Sequence, residues 1–167
     1  MTHVQDHFNA WLREAFAAEG QSITMLTNQA KRIQNYPELR ERVEQHLVET
    51  QDQQEALRAL LERNAGPPLI RTVAGKLSTA AQGISGMLAG DEIVKSAMAA
   101  YIFEHGEIAS YQVLLAAADE LGDEEAERVL SLILEQEVAM ADWLREHLDV
   151  LTRIYLMRDE RDLQAKR

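Results

Sequence analysis

The stretch LIRTVAGKLSTAAQGISGMLAG, residues 69–90, decides the fold of this 167-residue chain. Small residues and glycine dominate it, whereas the sequence on both sides is rich in Ala, Leu, Glu, Gln and Arg, which favour helices. The pair Pro67-Pro68 directly before it ends a helical pattern. We therefore interpret the stretch as a long crossover between helices that contains one or two short helical turns.

Two helices are predicted on each side of this crossover. Before it, the residue that precedes Pro37 is pushed out of the α region, so one helix ends there and Pro37 suits the start of the next. After it, Asp91 can cap a third helix, Gly122 suits the C-terminal end of that helix, and Asp123 can cap the fourth. The charged tail RDERDLQAKR is predicted to fray. The predicted helices cover about residues 6–35, 38–64, 91–121 and 123–155, with the crossover at 65–90.

This order of helices and connections predicts an all-α four-helix bundle with one long crossover between helices two and three. That connectivity is typical of ferritin-like folds, whereas short loops throughout would favour a simple up-and-down bundle. A chain of this length is most simply one domain, here residues 1–167, with a core that needs no disulfide or metal to hold it together.

The composition narrows the functional classes. A formal net charge of −11 argues against nucleic acid or an anionic membrane surface as the main partner. No segment approaches the roughly 20 apolar residues that span a bilayer, and the start MTHVQDHFNAW shows no secretory signal. The absence of cysteine excludes thiolate ligands, thiol nucleophiles and disulfides. We expect a cytoplasmic protein.

Acidic residues occupy inner positions of the predicted bundle. Packed helices bury positions that alternate by three and four residues, and the segment EHGEIASY, residues 104–111, puts Glu104 and Glu107 in two consecutive inner positions. At 1.5 Å per residue these two acids and Glu137 lie nearly level, measured from the turn at Gly122. On helix two the inner position belongs to Glu49 or to Thr50. Glu19 on helix one and His46 on helix two also lie at inner positions.

A cluster of ionised carboxylates in a dry core is costly, because burial and like charges both raise the pKa values of the acids. Two divalent cations bridged by carboxylates would compensate, and helical bundles provide such sites. Oxygen ligands suit Fe or Mn. His46 could be a ligand or a hydrogen-bonded inner residue. Tyr111 could support a ligand, although we favour an ordinary packed residue. The predicted metal ligands are Glu19, Glu49, Glu104, Glu107, Glu137 and His46.

Four segments carry a resemblance to a known family. They are AFAAEGQ (residues 15–21), QHLVETQDQ (45–53), EHGEIASY (104–111) and LEQE (134–137). Together they resemble the YciE/YciF-type family of bacterial ferritin-like proteins, over nearly the whole chain. The resemblance implies a ferritin-like bundle, a homodimer and an association with bacterial stress responses, without an established reaction.

The spacing ExxE at residues 104–107 is also similar to that of rubrerythrin-type dimetal sites. Carried over by position, the resemblance implies carboxylate ligands at the five glutamates named above. The two histidine positions of the rubrerythrin-like motif are occupied by Asp52 and Met140 in this chain.

Two classes of function remain open at this point. The first is a dimetal protein of the oxidoreductase type that reacts with oxygen or peroxide. The second is a non-catalytic stress or interaction protein, in which the acids form a structural or vestigial metal site or a protonated hydrogen-bond network. Iron storage in a shell is a third, although nothing in the sequence specifies cage assembly. Apolar residues on helices one and two, such as Trp11, Phe16 and Met25, are consistent with a homodimer.

Overall fold

A computed structural model of the chain describes residues 3–65, 93–161 and 163–166, and these residues form four α-helices without any strand. The predicted all-α class is confirmed. α1 begins and ends three residues earlier than predicted, and α4 extends five residues further. The predicted cap Asp91 and the crossover after residue 65 lie outside the described residues. The helices are α1 (His3–Arg32), α2 (Pro37–Ala65), α3 (Ile93–Leu121) and α4 (Glu124–Glu160).

The turn between α3 and α4 follows from two adjacent residues. Gly122 has a φ of 62°, the left-handed conformation that commonly ends a helix and that glycine adopts most readily. The backbone N–H of Asp123 donates to the Ala118 carbonyl at 3.0 Å, which satisfies one of the last carbonyl groups of α3. The Asp123 side chain accepts from the Ala126 N–H at 3.1 Å and caps α4. The predicted roles of Gly122 at the end of α3 and of Asp123 as the cap of α4 are confirmed.

The helices pair as two hairpins, α1 with α2 and α3 with α4, and the hairpins pack with α1 against α3 and α2 against α4. Gln29 near the end of α1 donates to Ser96 near the start of α3 at 2.9 Å, so these two helices are antiparallel. Arg63 at the end of α2 bonds to Asp123 and Glu125 beside the start of α4. The end of α2 and the start of α3 therefore lie at opposite ends of the bundle, roughly 40 Å apart. This confirms the ferritin-like connectivity.

Two apolar clusters fill the two ends of the bundle, and a polar layer separates them. One cluster lies towards the turn between α3 and α4, and the other lies towards the turn between α1 and α2. The first includes Phe8, Leu12, Leu57, Leu114, Leu130 and Ile133. The second includes Leu26, Ile33, Leu39, Val43, Ile93 and Leu144.

The end of the chain packs against the turn between α1 and α2. Ala165 is buried, and its carbonyl accepts a hydrogen bond from the Tyr36 hydroxyl. The Gln164 carbonyl accepts from Asn35 at 3.0 Å and from Arg158 at 2.9 Å. The prediction of a frayed tail was wrong for these residues. Their backbone carbonyls accept hydrogen bonds, and such contacts cannot be predicted from the charged side chains of the tail. Among the described residues, no helix has the length and apolar character required to cross a membrane.

Two glycine substitutions test the turn. Replacing Gly122 with Ala should lower the free energy of unfolding by about 1 kcal/mol, because a Cβ disfavours the left-handed conformation. Gly106 is the matched control, because it is exposed on α3 and an added Cβ would meet no atom within 4 Å. Gly106→Ala should raise the free energy of unfolding by about 0.5–1 kcal/mol through helix propensity. Urea unfolding followed by circular dichroism measures both free energies of unfolding. A change of the same sign in both variants would contradict the left-handed conformation of Gly122.

Candidate metal centre

A layer of buried polar side chains crosses the bundle between the two apolar clusters. All four helices contribute to this layer, and each of its side chains is at most 5% exposed. Four of the five predicted carboxylate ligands belong to it, as does His46. The layer consists of Glu19 and Ser22 on α1, His46, Thr50 and Gln53 on α2, Glu104, Glu107 and Tyr111 on α3, and Glu137 on α4.

Three of these residues form a candidate metal site. His46, Glu104 and Glu137 each offer one ligand atom, and the three atoms lie within 4.8 Å of one another. His46 Nε2 is 3.2 Å from Glu104 Oε2 and 3.7 Å from Glu137 Oε2. Ligand atoms bound at about 2.0–2.2 Å to one ion lie roughly 3–4 Å apart, so this spacing suits a common ion. The 3.2 Å contact is an ion pair when His46 is protonated.

The acids of the polar layer have unsatisfied oxygens. Within the described part of the chain, both carboxylate oxygens of Glu104, Glu107 and Glu137 are buried without a hydrogen-bond partner. Oε2 of Glu19 is in the same state, which gives seven unpartnered oxygens. Such groups are rare in folded proteins because each one carries the cost of its lost hydration. Divalent cations would satisfy these oxygens, so the residues present fit a metal centre.

Burial controls the protonation of these acids. It raises the pKa of Glu19 to about 7, against the lowering effect of a hydrogen bond from Tyr111. Burial, together with the neighbouring Glu104, raises the pKa of Glu137 to about 10. The pKa of Glu107 lies well above its ordinary value because of burial and the charges of Glu19 and Glu137. Without cations, Glu107 and Glu137 therefore retain protons at neutral pH, and Glu19 is partly protonated.

Burial and the neighbouring acids shift the pKa of His46 in opposite directions. Burial alone lowers the pKa of His46, but Glu104, Glu49 and Glu137 outweigh it and raise the pKa to about 10. A protonated imidazole cannot bind a metal through Nε2. A bound cation reverses the local charge balance, and metal binding displaces the proton from its ligand. His46 is thus a cation in the metal-free protein and can be a ligand in the metal-bound protein.

Glu49 does not join the acid cluster. Its side chain is 18% exposed, and the inner position on α2 belongs to Thr50 instead. Glu49 Oε2 lies 3.0 Å from His46 Nδ1 and 3.2 Å from Arg42 Nη1, and Oε1 accepts from Gln45 at 2.8 Å. Burial raises the pKa of Glu49, but the hydrogen bond with His46 and the Arg42 charge outweigh it and lower the pKa to about 2.

Tyr111 belongs to the site although the sequence analysis interpreted it as an ordinary packed residue. Its hydroxyl donates to Glu19 Oε1, while Oε2 of Glu19 has no partner among the described residues. Tyr111 thus packs in the first apolar cluster and also contacts a predicted ligand, the less favoured of its two interpretations. The available signal was its inner position, one helical turn after Glu107. Burial and the neighbouring Glu19 raise the pKa of Tyr111 well above its ordinary value, so it acts as a donor.

The positions that hold histidines in rubrerythrin-like motifs provide no further ligand in this layer. Asp52 is exposed, and Met140 lies in the apolar cluster towards the turn between α1 and α2. His105, next to Glu104 in sequence, is exposed and contacts the Tyr101 ring edge-on at a centroid distance of 4.5 Å.

Comparisons with known proteins agree with this architecture. A protein from Xanthomonas campestris pv. campestris is 35% identical, with 95% of this chain and 99% of that chain covered and a TM-score of 0.77. The E. coli stress protein YciF is 26% identical, with 89% and 96% covered and a TM-score of 0.75. Ferritin-like, diiron-carboxylate proteins from Bacillus anthracis str. Ames are 19% identical, with 89% and 99% covered and a TM-score of 0.75, a likeness that shows the fold alone.

The family assignment rests on more than the fold. Residues 3–157 match the model of the family described as a domain of unknown function, DUF892, which spans all four helices up to the last residues of α4. The likeness to YciF agrees with the resemblance seen in the four sequence segments. The chain therefore belongs to the DUF892 family, and its predicted relation to YciE/YciF-type proteins is confirmed.

Proposed function

We propose that this ferritin-like protein holds two Fe or Mn ions in its polar layer. The observation that supports this most strongly is the set of seven buried carboxylate oxygens that lack a hydrogen-bond partner among the described residues. Such a set is costly while the acids are ionised, and cations would stabilise it. The proposed ligands from the core of the layer are Glu19, Glu104, Glu107, Glu137 and His46.

The neighbours of each acid suggest how two ions would be shared. Glu104 and Glu137 both lie within 4 Å of His46, which favours one ion among these three residues. The same two acids also interact electrostatically with Glu107, which in turn interacts with Glu19. Glu104 and Glu137 interact with both His46 and Glu107, so they would contribute to holding both ions. Glu19 would offer Oε2, because Tyr111 donates to its Oε1.

We propose oxygen or peroxide chemistry as the activity, within a bacterial stress response. A bound Fe or Mn pair supplies the redox chemistry of such a reaction. The chain supplies the ligands, the Tyr111 hydroxyl that orients Glu19, and the two apolar clusters that keep water away from the layer. The likeness to an E. coli stress protein supports the biological context.

A non-catalytic role is the second candidate, and specific residues favour it. Asp52 and Met140 replace the two histidines of rubrerythrin-like motifs, which lowers the number of nitrogen ligands. The raised pKa values of Glu137 and His46 also allow a protonated network to occupy the core. In that case the protein would be a structural or interaction partner in the stress response, with a vestigial metal site.

We further propose that the chain is a single domain that forms a homodimer in the cytoplasm. Of the three apolar residues predicted for an interface, Trp11 is exposed, Phe16 packs against the first apolar cluster, and Met25 is half-buried. Exposed apolar residues on α3, such as Met98 and Ile102, add support for self-association.

Metal content tests the proposed function. Protein purified without chelators and then loaded anaerobically with Fe(II) should contain about two Fe per chain by mass spectrometry. Glu104→Gln should lose at least one of them while helicity is preserved, because it removes a carboxylate that would hold the ions. Glu120→Gln is the matched control, since Glu120 is exposed on the same helix. Unchanged metal content in Glu104→Gln would refute the site, and absence of metal in the wild type would favour the second candidate.

The stability of the metal-free protein should depend on pH. The folded-state pKa values of Glu19, Glu137 and His46 lie above their ordinary values, so the folded state retains protons that the unfolded state releases. Stability is then greatest below the unfolded pKa values and falls as pH rises, by about 1.4 kcal/mol per pH unit for each retained proton. Urea unfolding of chelator-treated protein at pH 6, 7 and 8 measures this decline.

Two variants identify the source of the decline. Glu137→Gln should reduce the fall in stability by about 1.4 kcal/mol per pH unit, the contribution of one retained proton, because an amide does not titrate. Glu135→Gln, on the exposed side of α4, should leave the fall unchanged. Loading with metal should oppose the decline, since ligands bind metal in their deprotonated form. Metal-free stability that is constant or rises over this range would contradict the protonation assigned to the polar layer.

A further inference from the structure

We propose that Glu49 positions the His46 ring through Nδ1, so that Nε2 faces the metal ions, and that Glu49 is not itself a metal ligand. This inference rests on the proposed function, because it assigns a role in metal binding. It differs from the ligand role that the sequence pattern predicted for Glu49. The argument depends on which nitrogen of His46 faces which acid.

The two ring nitrogens of His46 face different partners. Nδ1 lies 3.0 Å from Glu49 Oε2, and Nε2 lies 3.2 Å from Glu104 Oε2 and 3.7 Å from Glu137 Oε2. The ring is fully buried, so solvent does not reach Nδ1 while the Glu49 side chain is in place. The hydrogen bond made by one nitrogen decides which nitrogen remains available to a metal. An acceptor at Nδ1 therefore leaves Nε2 free to bind.

Glu49 is itself held in place by donors from its own helix. Arg42 Nη1 lies 3.2 Å from Oε2, and Gln45 donates to Oε1 at 2.8 Å. Arg42, Gln45, His46 and Glu49 are spaced by three and four residues, so they share one face of α2. Arg42 and Gln45 both donate to Glu49, so Glu49 acts as the acceptor of its contacts and Nδ1 is the donor in the contact with His46.

The hydrogen bonding of Glu49 contrasts with that of the core acids. Both Glu49 oxygens have donors, whereas Glu104, Glu107 and Glu137 have none for either oxygen among the described residues. A carboxylate whose oxygens are already satisfied gains less from a cation than one whose oxygens are buried and unpartnered. Carboxylates that accept from a metal-binding histidine orient its ring and raise its basicity, and their loss typically weakens metal affinity about 10–100-fold.

Zinc binding to variants of the chain tests this role. Zn²⁺ is a diamagnetic ion that accepts both histidine and carboxylate ligands. Equilibrium dialysis of Glu49→Ala should give the wild-type number of bound zinc ions with about 10–100-fold weaker affinity. Glu49→Gln should recover part of the affinity, because its amide oxygen still accepts from Nδ1. Glu44→Ala is the matched control, since Glu44 is exposed on α2 and pairs with Arg40.

Nitrogen-15 spectra of the His46 ring provide the second readout. In zinc-loaded wild type they should show a protonated Nδ1 and a metal-bound Nε2, and in Glu49→Ala a mixture of ring states. Loss of one zinc ion per chain in Glu49→Ala, as expected for Glu104→Gln, would identify Glu49 as a ligand and overturn the proposal. Unchanged affinity together with an unchanged Nδ1 signal would also overturn it.

The same spectra of the metal-free protein separate this inference from the proposed function. The Nδ1 proton of His46 should exchange slowly with solvent in the wild type and quickly in Glu49→Ala. If the wild type binds neither zinc nor Fe(II), the proposed function fails. Slow exchange of the Nδ1 proton that depends on Glu49 would still show that Glu49 positions the ring. Equal exchange rates in the two proteins would overturn the positioning role whatever the metal content.

Discussion

The desolvation of four carboxylates in one layer is the constraint on which the rest of this structure depends. Glu19, Glu104, Glu107 and Glu137 are almost fully removed from water, and seven of their oxygens find no donor in the described part of the chain. Apolar clusters above and below the layer provide the stabilisation that offsets this cost. Protons or cations must neutralise the acids, so the charge state of the layer is coupled to the stability of the whole bundle.

The connectivity of the bundle brings these acids to one level. α1 is antiparallel to α3 and α2 to α4, so residues from the middle of each helix meet at the same height. A chain with short loops throughout could not place α2 and α3 in the observed directions, because the end of one lies far from the start of the other. The polar layer and the long crossover are thus two consequences of the same arrangement.

Local patterns were sufficient for most of the layer. The spacing of three and four residues identified the inner positions of Glu19, Glu104, Glu107 and Glu137, since helical periodicity alone determines which side chains share a face. His46 was also found in this way, although its partners were not. The same reasoning could not separate Glu49 from Thr50, because adjacent residues differ by about 100° around the helix and either can border a broad inner stripe.

The sequence by itself determined the helices, the turn at Gly122 and Asp123, and the acids that face inward, because each depends on neighbours within a few residues. Only the tertiary structure decided which groups meet across helices. The Tyr111 hydroxyl reaches Glu19 from another helix, and Tyr36 reaches the Ala165 carbonyl from far along the chain. The rotation of α2 against α3 and α4 determines that Nδ1 of His46 contacts Glu49 and that Nε2 contacts the core acids. That rotation is set by the packing of two apolar clusters from all four helices, which no local pattern records.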